Sequence, residues 1–63
     1  MRLTNKAHSG KECVFHAFNG TLYVARIERI RRQVATVLYH IPGFGEVTTY
    51  LEPEYHNRIR LPD

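Results

Sequence analysis

The stretch Asn19-Gly20-Thr21-Leu22-Tyr23-Val24-Ala25-Arg26-Ile27-Glu28-Arg29-Ile30-Arg31-Arg32-Gln33-Val34-Ala35-Thr36-Val37-Leu38-Tyr39-His40 admits two readings, and the fold depends on the choice. Read as helix, Tyr23, Ile27, Ile30, Val34, Val37 and Ile41 recur at helical spacing. Asn19 or Thr21 would cap the start and Pro42-Gly43 would end it. That reading gives an α+β chain with a basic amphipathic helix at about residues 21–40. Read as strands, Val24, Ile27, Ile30, Val34, Thr36 and Val37 are β-branched, which suits a pleated surface and disfavours an exposed helix. Asn19-Gly20 immediately upstream is a strong hairpin signal, because both residues tolerate positive φ. The strand reading is preferred and the helix is retained as the alternative. Thr21 to Ile30 and Val34 to His40 are then two strands, joined by a turn at Arg31-Arg32-Gln33.

The first of these strands carries a defect. Tyr23, Ala25 and Ile27 share one face, and Arg26 and Glu28 the other. Strict alternation would next bury Arg29 and Arg31 and expose Ile30. A bulge or sharp bend near Glu28 returns Ile30 to the core.

Working outward, Cys13 to Phe18 is a strand before Asn19-Gly20. Pro42-Gly43-Phe44-Gly45 is a second strong turn. Glu46 to Leu51 alternates Val47, Thr49 and Leu51 against Glu46, Thr48 and Tyr50, as a half-buried strand does. Pro53 stops it, and Glu52 to His56 reads as one 3₁₀-like turn. Arg58 to Leu61 is a short fifth strand. The expected class is all-β, a five-stranded small barrel over residues 12–62. Residues 1–11 read as a loose lead-in, with Leu3 the one candidate to dock. The expected core is Val14, Ala25, Ile27, Ile30, Val37, Val47, Leu51 and Ile59.

Composition fits a small globular module: 63 residues, 43% apolar, 24% charged. A chain this short buries only about 60% of its unfolded surface, which disfavours a large catalytic cleft. Cys13 is the single cysteine, so no internal disulfide can form. No apolar run reaches the roughly 18 residues of a membrane span, and the first ten residues show no apolar signal region. An intracellular setting, cytoplasmic or nuclear, without a membrane role is expected. His8, His16, His40 and His56 are scattered, and Cys13 has no cysteine partner, so neither a metal site nor a cofactor is expected.

Several segments together resemble a Tudor domain, a family of SH3-like barrels. Asn19-Gly20-Thr21-Leu22-Tyr23-Val24-Ala25-Arg26-Ile27 looks like the family's second-strand pattern. Val37-Leu38-Tyr39 is similar to its third strand. Gly43-Phe44-Gly45-Glu46 resembles its Gly-Tyr-Gly-Asn turn, and Leu51-Glu52-Pro53 lies near its closing link. The resemblance runs from Cys13 to about Leu61. It implies an aromatic cage for methylated lysine or arginine peptides at His16, Tyr23, Tyr39, Phe44 and Glu46. His16 replaces the usual tryptophan, which weakens the best cation–π wall. Phe44 and Glu46 depart from the family's tyrosine and asparagine, and Ile41-Pro42 is an insertion.

The charge pattern suggests another partner. Arg26, Arg29, Arg31 and Arg32 lie close together with Glu28 the only acid among them, a local excess equal to the chain's net +3. Arg58 and Arg60 could extend the patch. Guanidinium groups suit phosphates, and neighbouring aromatics suit bases. A solvated hairpin that blocks edge pairing would look the same. Enzymatic chemistry finds little footing, because Cys13 and His16 fall on opposite faces of a strand and no phosphate-loop or Ser/His/Asp pattern occurs. The expected function is a non-catalytic module contacting nucleic acid, DNA or RNA undecided, through Arg26, Arg29, Arg31, Arg32, Arg58 and Arg60. The alternative is a protein-interaction module using the partial cage. A monomer is expected, since the proposed edges are charged.

Overall fold

A computed structural model of the chain describes residues 2–62. The order is α1 (Asn5–His8), β1 (Glu12–His16), β2 (Leu22–Arg31), β3 (Val34–Ile41), β4 (Gly45–Leu51), a 3₁₀ segment (Pro53–Arg58) and β5 (Ile59–Arg60). The five strands form one antiparallel sheet in the order β4-β3-β2-β1-β5. β4 and β5 are its two edges, so the sheet is not closed by a ladder between them.

The helix alternative at about residues 21–40 is overturned, because β2 and β3 occupy that stretch. The register explains why a helical spacing was present at all. Ile27 pairs with Val37 and Arg29 with Thr36, leaving Glu28 as the extra residue. This bulge lies where the alternation breaks. It converts an inward step of two into a step of three, so the inward residues Tyr23, Ile27 and Ile30 imitate a helix.

Each hairpin closes by a different chemistry. At the first, Ala17 N–H donates to Thr21 O and Gly20 N–H donates to Ala17 O. Only Gly20, at φ 89°, has positive φ there; Asn19 instead accepts from Thr21 N–H through its side chain. Asn19-Gly20 is thus the end of a three-residue loop, not a two-residue turn. The two-residue turn is Arg32-Gln33, with φ of 52° and 65° on side chains that avoid that region. At the third, Phe44 N–H donates to Ile41 O across Pro42-Gly43, with Gly43 at φ 81° as a type II turn requires.

The core is the inner face of the sheet. β1 and its exit supply Cys13, Phe15 and Ala17; β2 supplies Ala25, Ile27 and Ile30; β3 supplies Ala35 and Val37. Leu51 and Ile59 complete it, under Leu3 from the N-terminal segment. Two expected core residues are corrected. Val14 points outward, because burying Phe15 removes more apolar surface and leaves His16 in water. Val47 is only half-buried, since β4 is an edge strand.

The described part of the segment read as a loose lead-in is packed against β2. Leu3 is 1% exposed. Because β1 begins only at Glu12, opposite Arg26, the flank of β2 beyond Arg26 would be left without hydrogen-bond partners. Gly10 N–H donates to Ile27 O, Ile27 N–H donates to Lys11 O, and Ile30 N–H donates to Asn5 Oδ1. Residues 5–11 thereby cover an edge that would otherwise invite strand pairing.

Candidate functional site

Strand alternation sorts the arginines before any chemistry is considered. Residues opposite one another in a ladder share a face. On β2, Ala25, Ile27 and Ile30 point inward, so Arg26, Arg29 and Arg31 point outward, all exposed. Arg60 joins them on β5, paired with the outward Val14. Arg32 stands at the tip of the β2–β3 turn. Arg58 is held differently. Its guanidinium lies 4.4 Å from the Phe18 ring centroid, and Nη1 donates to Ala17 O at 3.5 Å. Five of the six candidate arginines are thus displayed on the outer face or its rim, and the sixth is pinned at the opposite end.

The outer face is not purely basic. Glu12 lies across the ladder from Arg26, and Glu46 across from His40. Exposed apolar residues also sit on it: Leu22 at 65% and Val24 at 76%. They surround Val14 and adjoin Leu38, so the face combines cations with wet apolar surface.

The structure does not gather the five cage positions. Tyr23 and Tyr39 meet on the inner side, with ring centroids 4.7 Å apart and planes tilted by 35°. Phe15 packs on Tyr39 at 5.2 Å, so the Tyr39 ring is anchored to the core. His16 points to the outer face opposite Leu22, and Glu46 to the same face opposite His40. Phe44 stands 78% exposed on the β3–β4 turn.

A second aromatic group escaped the sequence reading. Phe18 and Tyr55 meet edge to face at 5.3 Å, with Arg58 over Phe18. The available signal was Tyr55, an aromatic with no place in the expected core. Its partner could not be foreseen, because the β1–β2 loop and the 3₁₀ segment are joined only by tertiary packing.

His56 lies inside the core. It is fully buried, with Nδ1 accepting from Leu3 N–H at 3.1 Å and Nε2 at 3.3 Å from Leu51 O. Those partners fix the neutral ring with its proton on Nε2. Cys13 is buried on the inner face while His16 is outward, so the two share no site. Burial pushes the Cys13 thiol up to about 11, which keeps it protonated at neutral pH. Among the described residues no group of three or more His, Cys, Asp or Glu could hold a metal ion, and no helix is long and apolar enough to cross a membrane.

Comparisons of the chain with protein-family models, with curated proteins and with solved structures each return no match.

Proposed function

We propose that this chain is a small non-catalytic binding module that contacts nucleic acid through the outer face of its sheet. The observation that carries the reading is the alignment of Arg26, Arg29 and Arg31 along one side of β2, with Arg32 at the turn and Arg60 across the sheet. A row of guanidinium groups on a rigid strand meets a phosphate backbone without the ordering cost of a flexible tail. Lying next to exposed apolar side chains, it can also offer contact to sugars and bases.

The fold we propose for it is a small SH3-like barrel of Tudor type. Support comes from the strand order β4-β3-β2-β1-β5, the bulge that bends β2, and the 3₁₀ segment leading into a very short last strand.

The second reading, a protein-interaction module for methylated peptides, is favoured by one observation, the Tyr23–Tyr39 pair. Each cation–π wall contributes about 0.5–2 kcal/mol, so two rings alone make a weak cage.

Fluorescence anisotropy with labelled oligonucleotides at low salt separates the readings. The nucleic-acid reading expects binding that is weakened for every sequence alike when Arg29, Arg31 and Arg32 are changed to Ala. Titration with mono- to trimethylated peptides, following the ring resonances of Tyr23, Tyr39 and Phe44, should leave those rings unmoved. Ring shifts that grow with methylation, without oligonucleotide binding, would reverse the order of the two readings.

A further inference from the structure

We propose that the recess on the outer face between β1, the start of β2 and the 3₁₀–β5 segment seats one unpaired nucleotide of a single-stranded nucleic acid. The proposal rests on the nucleic-acid reading above and narrows it to single strands. The recess has a volume of about 390 Å³ and is lined by Val14, His16, Leu22, Asn57, Arg58 and Arg60. Two arginines, an asparagine and a histidine lie beside the apolar Val14 and Leu22, and no carboxylate is among the described lining residues. Two other recesses among the described residues differ: one includes Glu12, the other Glu12 and Glu46. Of these three, the recess whose described lining holds no acid is the most complementary to an anion.

The apolar residues add a second requirement. Leu22 and Val14 present wet apolar surface within reach of the arginines, and the Phe18 ring lies next to Arg58. A ligand that gains from both must carry an anionic group and a flat apolar body side by side. A nucleotide is built that way. In a duplex the base faces are hidden in the stack, so only phosphates could reach the site; an unpaired nucleotide presents both parts. An acidic peptide has the charge but no flat face for the apolar residues. Beyond the recess, Arg26, Arg29 and Arg31 continue on the same face over about 17 Å of strand. Repeating charge over that length fits a phosphodiester chain running out of the recess.

The test uses the ¹⁵N-labelled chain with a single strand of about eight nucleotides, its duplex, and a poly-glutamate peptide. Two exposed positions are varied, Leu22→Thr and Arg60→Ala; Arg58 is left intact because it packs on Phe18. Thermal unfolding confirms that both variants fold. The proposal expects the single strand to shift the amides of Val14, His16, Leu22 and Asn57. Leu22→Thr should weaken the single strand about fivefold and leave the duplex within about twofold, as loss of a base contact does. Arg60→Ala should flatten the single-strand salt slope by about 0.7, the loss of one phosphate contact. Equal binding of single strand and duplex, both indifferent to Leu22→Thr, overturns the recess while leaving the arginine face standing. Poly-glutamate shifting the same amides as strongly as the oligonucleotide also overturns it. If no nucleic acid binds, the recess and the broader reading fall together.

Discussion

The backbone N–H of Leu3 donates to Nδ1 of His56 at 3.1 Å, joining residues 53 positions apart inside the core. The same ring reaches Leu51 O, so one imidazole ties the N-terminal segment to the end of β4. A short chain without a disulfide needs such ties, and this one sits at full burial.

Replacing His56 by Ala should therefore cost far more than a surface substitution. It leaves a buried donor and a buried acceptor unpaired and opens a cavity, together about 3–5 kcal/mol. Leu3→Ala should cost about 2–4 kcal/mol from lost burial, although the Leu3 N–H survives. Urea unfolding measures both. A loss below about 1 kcal/mol for His56→Ala would mean that the N-terminal segment is not held as described.

The Arg32-Gln33 turn stores strain that substitution can release. Gln33→Gly should stabilise the chain by about 1 kcal/mol, because glycine accepts the φ of 65° without the clash a side chain suffers. Arg32→Asn should act in the same direction. Thermal unfolding gives the sign, and a destabilised Gln33→Gly would contradict the turn geometry. Oligonucleotide binding is informative beside it: Gln33→Gly should leave affinity unchanged, whereas Arg32→Asn should reduce it.

Cys13 makes stability fall at alkaline pH. Its folded value, about 11, lies above the ordinary thiol value of 9.0, because burial disfavours the thiolate. Its stabilising contribution is complete below about 9 and is lost as pH rises through about 11. The loss is at most about 2–3 kcal/mol, at 1.36 kcal/mol per pH unit. Urea unfolding between pH 8 and pH 11 should show a steeper decline for the parent chain than for Cys13→Ala. Identical slopes would place the thiol in water.

How far the fold is legible depends on what each signal needs. The bulge near Glu28 is readable because burying Arg29 would be costly, so the alternation itself reports the fault. The Pro42-Gly43 turn is readable because proline fixes φ near the value the turn needs and glycine tolerates the positive φ that follows. The phase of β1 is not: Cys-Val-Phe-His-Ala-Phe offers apolar residues at both phases, and only packing selects Phe15 over Val14. The N-terminal segment is opaque for a related reason. Asn5 and His56 act through single hydrogen bonds to distant backbone, which leave no period in the sequence. At the site, alternation alone places Arg26, Arg29 and Arg31 on one face. The dispersal of His16 and Glu46 away from Tyr23 and Tyr39 follows from strand phase and register, which turn-motif resemblance does not encode.

A monomer is expected despite the open sheet. The free edge of β4 spans Gly45–Leu51, but net +3 opposes a second copy, and residues 5–11 cover the flank of β2. Sedimentation equilibrium under reducing conditions should return 7.4 kDa. Twice that mass persisting at high salt would reveal an apolar interface, with exposed Tyr50 on β4 the first residue to vary.

The central claim, that the arginine face binds nucleic acid, is tested most directly by the salt dependence of oligonucleotide affinity. Engagement of about four phosphates predicts a log–log slope of roughly −3 to −4, and changing Arg29, Arg31 and Arg32 to Ala should bring it to about −1. No detectable binding at about 50 mM salt, or a slope unmoved by the triple substitution, would contradict it.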